Sequence, residues 1–251
     1  MLSNQNIKKI MKSVIRQVST ATILSLTLIL SSCLSGLSGE ITEEKRDVKD
    51  FTSVELAIPA DISLSQGKDF SFTIEGDKEF LKEVITEVRG SALRIRTEGW
   101  VNFGWKDLKV KIQITMPTVE GLSVSGSGDI NGITPINTGS LSLRVSGSGD
   151  IIIPVLTVDN LDVTISGSGD IGVAGKGTAK DAKVRVSGSG DVELKGIVFQ
   201  NADISISGSG DAYIEASEVL NARVVGSGDI VYSGNPLIDA KVSGSGRIRN
   251  K

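Results

Sequence analysis

Ser125-Gly126-Ser127-Gly128-Asp129 is written again, nearly unchanged, six more times: Ser146–Asp150, Ser166–Asp170, Ser187–Asp191, Ser207–Asp211, Val225–Asp229 and Ser243–Arg247. The copies end at 129, 150, 170, 191, 211, 229 and 247, so the steps are 21, 20, 21, 20, 18 and 18. A fixed period near 20 marks a solenoid, in which each repeat is one coil stacked on the last. Aligned on the final residue, the copies resolve into columns. Five positions earlier stand Val124, Val145, Ile165, Val186, Ile206, Val224 and Val242. Seven positions earlier stand Leu122, Leu143, Val163, Val184, Ile204, Ala222 and Ala240. Polar residues such as Arg144, Thr164 and Arg185 fill the column between. That is period-2 alternation, a strand with one face inside and one outside.

Beyond each motif the pattern resumes with Ile130, Ile151, Ile171, Val192, Ala212, Ile230 and Ile248, and a looser third run holds Val158, Phe199, Val219 and Leu237. Each repeat returns to the same columns in the same sense, which calls for parallel stacking. The fold class expected is all-β: a three-sided parallel β-helix over 121–251, right-handed by the rule for parallel crossovers. Its rungs are about 20 residues long and ~4.8 Å apart. Inward Val, Ile and Leu contribute roughly 1.5–3 kcal/mol each when fully buried.

The Ser-Gly-Ser-Gly-Asp motif reads as the corner of each coil. Glycines allow positive φ or close backbone approach, and serines can bond groups freed by the bend. Stacking places Asp129, Asp150, Asp170, Asp191, Asp211 and Asp229 in one row. Neighbouring carboxylates ~4.8 Å apart repel by about 1 kcal/mol in water. They must therefore be solvated, bonded to backbone donors or bridged by cations. The row reads as a structural turn ladder, with calcium between rungs and an acidic ligand stripe as alternatives. Arg247 puts a cation at its end.

Residues 1–32 read as an export signal. Lys8, Lys9, Lys12 and Arg16 precede a short apolar run, Ala21–Leu30, that ends in Leu30-Ser31-Ser32-Cys33. Cys33 is the single cysteine of the chain. The sequence looks like a bacterial lipobox, so lipidation of Cys33 is expected, with anchorage to the outer membrane and both the cell surface and the periplasm open as the side the body faces. A buried cysteine in an ordinary signal is the alternative. Multiple acyl chains on one cysteine suffice for lasting anchorage. Residues 33–50, with mixed charge and no face to bury, read as a flexible tether.

Removing 32 of 251 residues leaves 219, and four basic residues go with them. The remainder carries 23 basic against 30 acidic residues, a formal −7. A nucleic-acid partner needs a basic footprint and is not expected. The chain has no histidine, which excludes Ser-His-Asp chemistry and histidine-ligated metal. No cofactor is expected.

Residues 51–120 alternate like strands without the motif and read as an irregular, capping start of the solenoid. A helical spacing of Phe80, Leu81, Val84, Ile85 and Val88 predicts one short helix between Asp77 and Val88, capped by Asp77. Trp100, Phe103 and Trp105 lie in one short stretch. It reads either as an aromatic contact patch or as a hairpin tip folded over the solenoid.

The opening Phe51-Thr-Ser-Val-Glu-Leu, the turns at Gln66-Gly67 and Glu75-Gly76-Asp77, and the recurring Gly-Ser-Gly-Asp-Ile carry a resemblance. The chain resembles the auto-transporter adhesin head GIN domain family of secreted and lipid-anchored bacterial proteins, over about residues 50–250. The resemblance implies a β-helical fold and an exported, surface-associated role; it supplies neither a catalytic residue nor a ligand. The expected function is a non-enzymatic, lipid-anchored envelope protein presenting a rigid solenoid to a glycan or protein ligand. A polysaccharide-active enzyme and a structural component of the envelope are the alternatives. An enzyme of that kind needs a local cluster that breaks the repeat, and the recurring carboxylates do not supply one.

Overall fold

A computed structural model describes residues 40–98 and 110–251, with Ile41–Lys251 as one unit. The chain first lays down β1 (Ile41–Lys45), β2 (Ser53–Leu56), β3 (Ala60–Gln66) and β4 (Ser71–Asp77). Helix α1 (Lys78–Glu83) follows, then β5 (Val84–Arg89), β6 (Ala92–Thr97) and β7 (Val110–Met116). The repeat region then runs through β8 (Gly121–Gly126), β9 (Asp129–Gly132), β10 (Ile136–Gly147), β11 (Ile151–Ile153), β12 (Leu156–Gly167) and β13 (Ile171–Val173). It ends with β14 (Gly177–Gly188), β15 (Val192–Gly208), β16 (Ala212–Gly226), β17 (Ile230–Ser233), β18 (Leu237–Gly244) and β19 (Ile248–Asn250).

The repeat region is a parallel β-solenoid of about six turns, with roughly 20 residues per turn. On one side β8, β10, β12, β14, β15, β16 and β18 pair in parallel and in register. Leu122 faces Leu143, which faces Val163; Val124 faces Val145, which faces Ile165. On the next side Ile130, Ile151, Ile171, Val192, Ala212 and Ile230 stack, every one at most 1% exposed. The third side is filled by Ile136, Leu156, Ile197 and Phe199, all buried. Three of these, Ile136, Leu156 and Ile197, fall outside the column read from the sequence; Ile136 and Leu156 pair in register with each other, and the register shifts that absorb a shorter repeat lie between β15 and β16. In the last rung Ile238, Ala240 and Val242 keep their register on β16. They remain exposed, as does Leu237 at 79%, because no described rung covers them.

The N-terminal segment supplies rungs in an order that spacing did not reveal. β2 and β3 stack directly beneath β8 and β9. β6 and β7, later in the chain, stack on the other side of β2 and β3, still parallel. The core column therefore runs Leu93, Val54, Leu122, and beside it Ile95, Leu56, Val124. The outermost rung is then closed by antiparallel strands: β5 on β6, β4 on β7, and β1 on β4.

Two expectations change here. The helix ends at Glu83, and Val84–Arg89 is strand. Asp77 caps it as expected, its Oδ1 accepting from the N–H groups of Glu79 and Phe80 at 3.0 Å each. Val84-Ile85-Thr86 is β-branched and favours the pleated edge over a further helical turn. Within the segment 33–50 read as a tether, Ile41–Lys45 is strand β1, and residues 33–39 lie outside the described residues. An edge strand needs no apolar face when its backbone is paired, and exposed charges suit it. Arg46 fastens this strap: its guanidinium donates to the carbonyls of Val84 at 2.6 Å and Leu81 at 2.9 Å, and pairs with Glu44 at 2.9 Å.

Candidate functional site

The corner is built from two glycine columns, both packed against the rung before except at Gly126, and only the first also bends through positive φ. The first glycine of each motif has positive φ, from 130° at Gly226 to 150° at Gly167. The second packs on the rung below: a Cβ on Gly169 would sit 2.0 Å from the carbonyl oxygen of Gly149. Backbone bonds tie the rungs together at the bend, as where the Ser148 N–H donates to the Gly126 carbonyl at 2.8 Å.

The aspartates continue this fastening. The backbone N–H of Asp150 donates to Oδ1 of Asp129 at 2.9 Å. Asp170 donates in the same way to Asp150 at 2.8 Å, and Asp191 to Asp170 at 2.7 Å. Asp211 donates to Asp191 and Asp229 to Asp211, both at 2.7 Å. Arg247 ends the row twice over, with its N–H on Oδ1 of Asp229 and its guanidinium on Oδ2, each at 2.9 Å. One oxygen of every carboxylate is thus engaged along the solenoid axis.

Two carboxylates of the row are shifted, in opposite directions. Burial pushes the Asp191 carboxyl above its usual range. The bond from Asp211 opposes this, and the charges of Asp170, Asp211 and Glu193 add to the rise. At the end, the bond from Arg247 holds Asp229 below the usual range. Among the described residues no group of three or more cysteine, aspartate or glutamate side chains is arranged to hold a metal ion.

A second feature was not legible as a motif. Along the first side, the inward column Leu141, Leu161, Ala182 and Ala202 is flanked by two outward rows. One row is Ser140, Asn160, Asp181 and Asn201; the other is Ser142, Asp162, Lys183, Asp203 and Asn221. Between them lies a groove of about 610 Å³ that crosses five rungs, with Glu120 also in its lining. Within the first row Asn201 Nδ2 donates to Asp181 Oδ1 at 2.8 Å. Within the second, Asp162 is paired with Arg185 at 3.3 Å. The polar column between the inward positions signalled an outward face; the concavity depends on how the coil bends and is not a property of any single repeat.

Of the residues singled out from the sequence, the structure brings the six aspartates together in one ladder. Cys33, and the Trp100, Phe103 and Trp105 stretch, lie outside the described residues. Among the described residues no helix is long and apolar enough to cross a membrane.

Stacked coils with a groove on their outer surface define a repeat-built β-solenoid. The chain belongs to the family described as "Putative auto-transporter adhesin, head GIN domain", whose sequence profile matches residues 50–236. It is similar to the solved structure of a putative adhesin from Bacteroides fragilis, with 28% identity and a TM-score of 0.79, covering 85% of this chain and 98% of that one. A putative lipid binding protein from Parabacteroides distasonis shares the fold at 24% identity and a TM-score of 0.69, covering 85% and 98% of the two chains. So does a putative adhesin from Parabacteroides merdae at 22% identity and a TM-score of 0.67, covering 85% and 97%. No curated protein matches the chain significantly.

Proposed function

We propose that this chain is a non-enzymatic envelope protein, anchored to the outer membrane through a lipidated Cys33, that presents its solenoid as a binding module for adhesion. The observation that carries the binding role is the groove: an open surface spanning five rungs of a scaffold whose corners are bonded rung to rung. Membership of an adhesin family supports the same role. The anchor rests on Leu30-Ser31-Ser32-Cys33 and on the uniqueness of that cysteine. Against an enzyme stands the repetition of these carboxylates, whose Oδ1 atoms accept backbone N–H groups in rung after rung as parts of the corner, whereas a glycan-active site needs a local cluster that departs from the repeat.

Metabolic labelling with a fatty acid tests the anchor. The wild type should take up label and fractionate with outer membranes, and Cys33→Ser should do neither. A wild-type protein that carries no label, or a Cys33→Ser protein still bound to membranes, would end the lipid-anchored reading.

A further inference from the structure

The groove's chemistry narrows what it can hold. It follows the solenoid axis for four rung intervals of ~4.8 Å, about 19 Å in all, so it suits an extended chain laid lengthwise. Its charge is mixed: Glu120, Asp181 and Asp203 stand against the ammonium of Lys183, and Asp162 is offset by Arg185 at 3.3 Å and Arg144 at 4.0 Å. Neither a polyanion nor a polycation would find a matching row of charge along that length.

Acceptors also outnumber donors. Asn201 already gives an amide hydrogen to Asp181, which leaves oxygens of both residues facing a ligand with hydrogens to offer. An extended peptide would need partners for its own N–H and C=O groups. The floor strands are paired on both sides with neighbouring rungs, so no free strand edge exists there for main-chain pairing. Hydroxyl groups both donate and accept, and they meet amides and carboxylates without a net charge. The floor between the rows offers backbone and aliphatic carbon, a match for the C–H face of a sugar ring. The polar rows repeat at the rung spacing, which is of the order of one sugar ring.

We infer that the groove binds a neutral, linear, hydroxyl-rich glycan along its length, with Asn160, Asp181, Asn201 and Asp203 making the polar contacts. This rests on the binding role proposed above and names the ligand class of that same surface.

The test uses the full chain in detergent micelles. The probes are neutral linear hexasaccharides (cellohexaose, maltohexaose, xylohexaose and mannohexaose), with hexagalacturonate and hexalysine as charged comparators. At least one neutral hexasaccharide should bind, and hexagalacturonate should not. Asn160→Trp fills the groove from an exposed wall position; it should weaken binding by tenfold or more without lowering Tm. Asp181→Leu removes a wall acceptor and should weaken it as well. The inference is overturned if no neutral probe binds, if either charged probe binds in preference, or if Asn160→Trp binds the neutral probe as the wild type does. A blank array from a protein that is nevertheless lipid-labelled and displayed on cells would remove the ligand class and leave the anchored envelope role standing.

Discussion

At the scale of single residues, the corner aspartates act as hydrogen-bond acceptors, and at Asp191 the charge is the less favourable part of that chemistry. A carboxyl whose pKa is higher in the fold than in the unfolded chain holds its proton more tightly when folded. Its ionised form therefore costs stability above the folded pKa, and the cost fades as pH falls below the ordinary aspartate value. Asp191→Asn keeps the Oδ1 acceptor for the Asp211 amide and removes the charge. It should raise Tm at neutral pH, and the gain over wild type should vanish in acid. Asp191→Ala leaves that amide without its partner and should cost about 1–3 kcal/mol. Thermal melts across pH check both.

Asp229 runs the other way. Arg247 lowers its pKa, so its contribution is present above the ordinary aspartate range and is lost as pH falls through its depressed folded value. The glycines allow a comparison within one column. Gly126 and Gly167 both have positive φ, but a Cβ on Gly126 meets nothing within 4 Å, while one on Gly167 sits 2.2 Å from the Gly147 carbonyl oxygen. Gly126→Ala should cost about 1–3 kcal/mol from backbone strain. Gly167→Ala should cost a further 1–3 kcal/mol or more from the collision. Equal losses in chemical denaturation would contradict the close-packed corner.

At the scale of elements, the repeat strands were readable because each inward column repeats with the same spacing, and stacking turns that spacing into a continuous core. The cap was less readable for physical reasons. Val84-Ile85-Thr86-Glu87-Val88 satisfies a helical spacing and a strand alternation equally, and pairing with β6 decides between them. Ile41–Lys45 carries no apolar face, so nothing in its pattern announces a strand; it is held by β4 and by Arg46. Nor does spacing say that β6 and β7 pass beneath β2 and β3, since that order depends on where antiparallel strands can close the end. Arg46→Ala removes charged donors from two carbonyls at the end of α1. It should cost about 2–3 kcal/mol and open the 41–50 strap to limited proteolysis, while the central rungs keep their protection in hydrogen exchange. A strap that stays protease-resistant in this variant would show that β1 pairing alone holds it.

At the scale of the whole molecule, the solenoid is a stack in which each rung rests on its neighbours, so stability should grade along the axis. The last rung, with β18 exposed throughout, should exchange its amide hydrogens faster than β12 or β14. Uniform exchange along the stack would contradict an open last rung. The groove belongs to this scale as well. Residues such as Asn160 and Asp203 look like ordinary outward positions in one repeat, and they become a surface when five rungs align.

The adhesive role proposed above requires that this surface be presented outside the cell. A bonded solenoid can resist proteases even when exposed, so chemical labelling is the sharper probe. Lys176, Lys180, Lys183, Lys195 and Lys241 are all exposed. A membrane-impermeant amine reagent applied to intact cells should modify these lysines as fully as it does in lysate. Labelling that appears only after lysis would contradict the account.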